Sequence, residues 1–504
     1  MKAIFLLFCL LFFFAACGRN MQPENYTDDS PVHTLTVLAP FAFFCCVHCN
    51  WGVLNYAGYR MAEEWAERGE YFSIDITTYH PAHRESVLAR LQVEIMAGTV
   101  PDIIILDHAP WTDRRSLRNF LSSGAFADFY SIIDNCPDTS RDDFFTNVLE
   151  AWEINGRLHA MPVAFGFDYV GINANMPQSV LDKFSAFDTI SMHELLRLYL
   201  YMREAYYGEF DELTIFINDR WYSPFHILSH SMNGFVDFSN NVSSLDSVEF
   251  VGLLEDWWQV FNGQSLFDFE SVGMRNIRHL TNILNLRLHA ARYVFSLQKF
   301  GYEPVNALIP NSNPYFVYYI PITDEQGRLR VSNTRFWSSS YGQLDTLVEG
   351  SGHMFVPLIS AAADEAVAWE YVQRLITAIT PTRPIPTYFT PPRRNVESFT
   401  LITPIRRDYF EHYIENILRF ATHYSFFWCT RRPQEARMER ERGFETTIAR
   451  MAAYNEMPIT PPFMIPGSLF ADLLDTFLRS PPGFFGAEQT AQELHNRVSL
   501  WLIE

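Results

Sequence analysis

Three of the chain's thiols crowd into one short stretch, Cys45-Cys46-Val47-His48-Cys49, where Cys46 and Cys49 have C-x-x-C spacing. A thiolate in such a pair can be activated for disulfide exchange or metal ligation. Thioredoxin-like chemistry needs its own fold context, however, and a zinc site normally takes four ligands, with a second pair elsewhere. Beyond Cys17 the cysteines are Cys45, Cys46, Cys49, Cys136 and Cys429, an odd set, so at least one is unpaired within a monomer. The reading is a local disulfide or inert thiols, with redox or metal chemistry as the alternative; neither a metal nor another cofactor is expected. Asp and Glu together number 58, enough for the paired carboxylates of a glycosidase. Linear order cannot show that any two of them face a scissile bond. The chain has no G-x-S-x-G nucleophile elbow, no H-E-x-x-H zinc motif and no P-loop. Aromatic residues are abundant, with 44 Phe, 24 Tyr and 11 Trp. They can stack on the apolar faces of sugars, but a large core could absorb them alone.

At 504 residues the chain is long enough for two or more domains or one large bilobal unit. Nearly half of it is apolar, which suits substantial cores and excludes broad disorder. A formal charge of −20 argues against a nucleic-acid partner, since phosphate binding rewards clusters of Lys and Arg. Lys2 precedes an apolar run from Ala3 to Phe14, too short to span a bilayer but suited to a signal-peptide core. Phe14-Ala15-Ala16-Cys17 then resembles a bacterial lipobox, which implies cleavage before Cys17 and a lipid on its sulfur; ordinary secretion with an incidental cysteine is the alternative. Residues 1–16 are thus read as a signal peptide and 17–33 as a polar tether. No later segment reads as an uninterrupted membrane span.

The elements that would position a site follow in order. Thr34 to Leu38 is a plausible first strand, and a helix from about Ala57 to Arg68 is expected to pack behind it through Tyr59, Met61, Ala62 and Trp65. Phe72, Ile74 and Ile76 alternate as in a strand. Val87, Leu88, Leu91 and Ile95 share a helical face, Gly98 supplies a stop, and Ile103 to Leu106 reads as a buried parallel strand. Together these make a βαβ unit, and the architecture is α/β. In open parallel sheets ligands lie beyond the carboxyl ends of the strands. The loops holding Trp51, and Asp107, His108 and Trp111, are so placed and are expected to form one wall of a cleft. Further on, Ser191 to Tyr206 reads as a helix with a Ser191/Glu194 capping box.

A resemblance spans most of the chain. Glu94-Ile95-Met96-Ala97-Gly98 before Pro101-Asp102-Ile103-Ile104, then Ser123-Gly124-Ala125-Phe126-Ala127-Asp128, then Asn155-Gly156-Arg157-Leu158-His159-Ala160-Met161-Pro162, resemble extracellular solute-binding proteins of family 1, the maltose-binding-like type. Ala368-Trp369-Glu370 and the segment Thr490 to Leu502 resemble that family's later helices, Ser247 to Phe261 its second-lobe helix, and Ser351 to Phe355 a returning strand. Leu286-Arg287 stands where relatives usually carry Gly-Lys, which leaves that register open.

The resemblance implies a bilobal periplasmic-binding-protein-like fold, two α/β lobes joined by crossing hinge strands. Residues 34–163 plus 350–380 would form the N-terminal lobe, and residues 164–349 plus 381–504 the C-terminal lobe. It implies no enzyme but the cargo-capturing subunit of an ABC importer: a lipid-anchored, extracytoplasmic bacterial protein, monomeric, partnered by permease subunits. Its ligand would be a carbohydrate, an oligosaccharide, whose faces need aromatic platforms and whose hydroxyls need charged or amide partners. On that chemistry the binding candidates are Trp51, Asp107, Trp111, Phe165, Asp168, Tyr169, Trp221, Tyr222, Trp337 and Tyr341. Phe165 and Phe167 alternate like half-buried strand residues, so core packing is the competing role for both. The rival functions are an extracellular carbohydrate-active enzyme and a ligand-presenting partner of a membrane sensor kinase.

Overall fold

A computed structural model describes residues 32–40, 51–79, 84–106, 120–167, 169–173, 176–205, 214–218, 228–229, 231–238, 240–261, 293–298, 316–329, 356–379, 403–410, 452–461, 465, 467–481 and 486–503. The chain opens with β1 (Val32–Pro40), α1 (Trp51–Glu67), β2 (Tyr71–Tyr79), α2 (Arg84–Ala97) and β3 (Ile103–Leu106). Strand β1 pairs in parallel with both β2 and β3, so each helix serves as a crossover. Helix α2 ends where Gly98 takes φ +67°, a left-handed backbone that suits a residue with no Cβ. All four residues of β3 are buried.

Helix α1 begins earlier than its sequence suggests and buries Leu54, Ala57, Met61 and Trp65, a stripe at i, i+3, i+7 and i+11. Tyr59 lies off that stripe and is 41% exposed, a correction to the expected packing. The reason is helical spacing: Tyr59 stands two residues from Ala57 and two from Met61, about 200° round the helix from each. A Cβ on Gly58 would stand 3.0 Å from Ile74 Cγ2 of β2.

Helix α3 (Phe129–Asn135) is capped by Asp128, whose Oδ1 accepts from the Tyr130 amide at 3.1 Å and the Leu158 amide at 3.0 Å. After α4 (Thr146–Ala151), Ile154 and Arg157 form a bridge around Asn155 and Gly156, both at positive φ as a tight hairpin turn requires. Then come β4 (Ala164–Phe165), β5 (Tyr169–Asn173), α5 (Gln178–Ser185), β6 (Ile190–Ser191), α6 (Met192–Ala205) and β7 (Thr214–Asn218). These are followed by β8 (Val236–Asp237), β9 (Val242–Ser243), α7 (Val248–Phe261), β10 (Tyr293–Gln298) and β11 (Phe316–Thr323). The described returning strand is β12 (Val356–Ile359), whereas 351–355, read as strand from sequence, lie outside the described residues. After it come α8 (Glu365–Ile379), β13 (Thr403–Pro404), α9 (Ala471–Arg479) and α10 (Ala487–Ile503).

One sheet has the order β12-β3-β1-β2, with β12 antiparallel to β3, and the other β6-β11-β5-β10-β7. Each anchors its own buried core. The first core draws on residues from Leu35 to Phe167, then Leu329, Val356 to Ile376, Ile405 and Ile459. The second draws on Val170 to Phe261, Ile320, Ile322 and residues from Ile465 to Val498. Among the described residues the chain passes between cores three times: from Phe167 to Val170, from Ile322 to Leu329, and from Ile459 to Ile465. The fold is bilobal α/β, as expected. Among the described residues, no helix is long and apolar enough to cross a membrane.

Candidate ligand-binding site

Strand register brings the ends of distant segments to common edges. In the first sheet Leu38 lies opposite Ile104, Pro40 opposite Tyr79, and Val356 opposite Leu106. The carboxyl ends of β1, β2 and β3 and the start of β12 therefore share one edge. The chain leaves that edge toward Trp51 after β1 and toward Asp107 and Trp111 after β3. In the second sheet Tyr169 lies opposite Gln298 and Pro321, and Asn218 opposite Leu297. The start of β5 and the ends of β7, β10 and β11 therefore share an edge. It lies at the crossings, because β5 begins just after the first and β11 ends at the second. Asp168 immediately precedes Tyr169, and Trp221 and Tyr222 follow β7 by a few residues.

Of the candidate residues, Trp51 opens α1 and Tyr169 opens β5, with only their backbones described. Asp107, Trp111, Asp168, Trp221, Tyr222, Trp337, Tyr341 and the lipidation candidate Cys17 lie outside the described residues, as do Cys45, Cys46, Cys49 and Cys429. Phe165 is fully buried, its ring 5.5 Å from that of Phe145 and 5.4 Å from that of Phe167, both edge-on. In this form its ring packs in the first core, directly beneath the first crossing. Cys136 is a half-buried free thiol.

The second crossing is the best-defined polar part of the region, and sequence reading passed over it. Residues 323–329 form a tight turn closed by a bridge between Thr323 and Leu329 and by the Asp324 amide donating to the Arg328 carbonyl at 2.8 Å. The Asp324 carboxylate fills the turn: Oδ1 accepts from the Gln326 and Arg328 amides, each at 2.9 Å, and Oδ2 from Arg328 Nε at 2.7 Å. On its far side Leu329 is sandwiched in backbone bonds with Pro458 and Thr460, which ties the third crossing to the second. Gln326 Nε2 donates to the Gly234 carbonyl, and a Cβ on Gly234 would meet Asp324 Cβ at 3.1 Å, so only glycine lets these backbones approach.

Glu325, next along the turn, reaches the start of α6. Its Oε1 accepts from the His193 amide at 3.3 Å, and the Ser191 hydroxyl beside it favours the charged carboxylate. The expected capping box is present beside it: the Ser191 amide donates to Glu194 Oε2 at 2.8 Å and the Glu194 amide to Ser191 Oγ at 3.2 Å. His193 Nε2 lies 2.8 Å from Asp256 Oδ2 on α7, which also accepts from Arg197 Nε at 3.0 Å. Burial pushes the Glu325 carboxyl up to about 7 against the bonds from Ser191 and the His193 amide, and Asp324 and Glu194 add to the rise. Burial, with Arg197, holds the His193 imidazole below its ordinary value despite Asp256. A sequence signal existed in Thr323-Asp324-Glu325-Gln326-Gly327, an Asp-x-x-Gly turn, but nothing in it pointed to α6. Among the described residues, no group of three or more His, Cys, Asp or Glu is arranged to hold a metal ion.

Two α/β units with separate cores, joined by three crossings among the described residues, make a bilobal fold of the periplasmic-binding-protein type. Solved structures carry the same fold over almost the entire chain. The sugar-binding protein MalE of Xanthomonas citri shares it at 11% identity and TM-score 0.51, covering 94% of this chain and 98% of that one. A protein of Synechococcus sp. MITs9220 assigned as an oligosaccharide periplasmic-binding protein shares it at 13% identity and TM-score 0.50, covering 93% and 99%. No family model and no curated protein matches the chain. At these identities the fold is what is shared.

Proposed function

We propose that this chain is an extracytoplasmic solute-binding lipoprotein that captures a carbohydrate, an oligosaccharide, between its two lobes and delivers it to the permease of an ABC importer. The observation that carries the reading is the match of this chain's fold, over 94% of its length, to that of a sugar-binding protein. The sheet edges support it, since both supply chain ends rich in Trp, Tyr and Asp, the residue types that stack on sugar faces and accept from hydroxyls. In this reading Trp51, Asp107 and Trp111 serve the first lobe's wall and Asp168, Tyr169, Trp221 and Tyr222 the second's. Trp337 and Tyr341 add a loop platform, and Phe165 backs the crossing. Cys17 carries the lipid, residues 34–163 plus 350–380 form the first lobe and 164–349 plus 381–504 the second, except that Ala164 to Phe167, Leu329 and the patches around Ile405 and Ile459 lodge in the first core. The protein acts as a monomer.

The test is a thermal-shift screen of the chain from Gly18 onward against mono- and oligosaccharides, peptides and metal ions. A cognate ligand at about 100 times its Kd stabilises the native form by about 2.7 kcal/mol. A saccharide that raises Tm and is recovered intact by mass spectrometry is the expected outcome. A shift produced only by peptides or metals defeats the sugar assignment, and hydrolysis of the saccharide defeats the transport reading. Cys17→Ser is expected to move the protein from the membrane to the soluble fraction; unchanged partitioning removes the lipid anchor.

A further inference from the structure

The second crossing carries a titratable contact that the capture of a ligand does not itself require. Between Ile322 in one core and Leu329 in the other, the chain makes a turn whose only long side chain bonded to α6 among the described residues is Glu325. That carboxyl takes the His193 amide at the helix's N-terminus, with the Ser191 hydroxyl beside it. The groups that act on it are Asp324 on the turn and Ser191, His193 and Glu194 on β6 and α6; the cations of the same elements are Arg328 on the turn and Arg197 on α6, and Asp256 on α7 pairs with His193. Both cations are engaged elsewhere, Arg328 by Asp324 and Arg197 by Asp256. An ionised Glu325 therefore sits half-buried beside two other carboxylates with no ion-pair partner among the described residues, and the His193 amide and Ser191 at the helix N-terminus favour its charge against them. A protonated Glu325 keeps the bond from the His193 amide through its carbonyl oxygen and carries no charge to repel.

We propose that the Glu325 carboxyl is a proton-operated latch on the second crossing: protonated, it holds turn 323–329 against the start of α6, and ionised it releases that hold, so that the freedom of the lobes to move about the crossings depends on pH. The step is a simple exchange of one proton with solvent. Its sign follows from linkage. The native carboxyl binds its proton more tightly than an unfolded glutamate, so the stabilisation is complete below the ordinary carboxylate range and is lost as pH rises through about 7. His193 acts in the opposite sense, because a depressed imidazole stabilises above its ordinary range and loses that contribution on acidification. Isolating the latch therefore requires a change at Glu325 itself. The proposal rests on the bilobal reading but not on the identity of the cargo.

Hydrogen exchange read by mass spectrometry on peptides spanning 190–196 and 320–330, with no saccharide present, tests it. Corrected for intrinsic rates, protection in the wild type is expected to fall about threefold to tenfold between about pH 6 and about pH 8, the upper limit per pH unit being tenfold for one proton. Glu325→Gln, which keeps an acceptor and removes the charge, is expected to show no fall across that range, its protection level or rising with pH as His193 loses its proton. Glu194→Gln, which removes a neighbouring charge while keeping the capping geometry, is expected to move the fall to lower pH. Level protection in the wild type, or the same fall in Glu325→Gln, overturns the latch. A chain that binds no saccharide still returns this answer, and loss of the latch leaves a saccharide shift in Tm intact.

Discussion

Asp324 is 4% exposed and accepts three hydrogen bonds, two from the backbone of its own turn and one from Arg328. A buried carboxylate so placed is tolerated because every bond to it is charge-assisted, and its removal leaves a guanidinium facing a void. Asp324→Ala is expected to cost about 3 kcal/mol, read as a lower urea midpoint. A loss under about 1 kcal/mol would show that the turn is held by its backbone alone. Residue-level legibility was uneven. The Ser191 and Glu194 pair was readable because a capping box is a local pattern with fixed spacing. Glu325 was not, because its partners lie more than a hundred residues away, and no local pattern encodes that proximity. Tyr59 misled because hydrophobicity favours it, while its angular position lies off the stripe of Leu54, Ala57, Met61 and Trp65 that is buried.

Helix α1 lies against β2 at a distance set by Gly58, and two effects compete there. Alanine in place of a helix-interior glycine gains about 1 kcal/mol in propensity, yet a Cβ 3.0 Å from Ile74 Cγ2 forces a branched side chain to shift within a packed layer. Overpacking typically costs about 1–3 kcal/mol, so Gly58→Ala is expected to destabilise by about 1 kcal/mol net. Ile74→Ala, which removes the Cγ2 methyl that the new Cβ would meet, should cost less in the Gly58→Ala background than in the wild type. The signature is a positive coupling in the double-mutant cycle, and strict additivity would mean that the helix retreats without strain. The βαβ opening was the most legible element, since its periodicities and the Gly98 stop are local, and β3 emerged where the Ile103 to Leu106 run lay. What sequence could not supply was pairing. That β12 lies antiparallel on β3, or that β10 and β11 flank β5, is fixed by contacts between segments far apart in the chain.

For the molecule as a whole, a resemblance carried by a few fragments indicated two lobes, and the solved structures bear out that fold. The routing of the late chain was not legible: Ile405 and Ile459 complete the first core, although they follow the helices that begin the return. Joined by short crossings, three of them among the described residues, the lobes can move as bodies. The saccharide that raises Tm is also expected to contract the protein, seen as a smaller radius of gyration in small-angle scattering, because only a closed form touches ligand from both sides. An unchanged radius with bound saccharide would place the ligand on one lobe.

The interleaving of the two cores also governs when the chain can fold. A ribosome that has released everything through the second sheet has still not made β12, α8, Ile405 or Ile459, so the first lobe lacks an edge strand, a covering helix and part of its interior. Such sequence-distant closure makes folding slow, because long loops must be ordered before their contacts repay the entropy. For a chain exported as proposed, that delay is useful. It keeps the nascent polypeptide unfolded while it is threaded across the membrane, and reserves the final collapse for the far side.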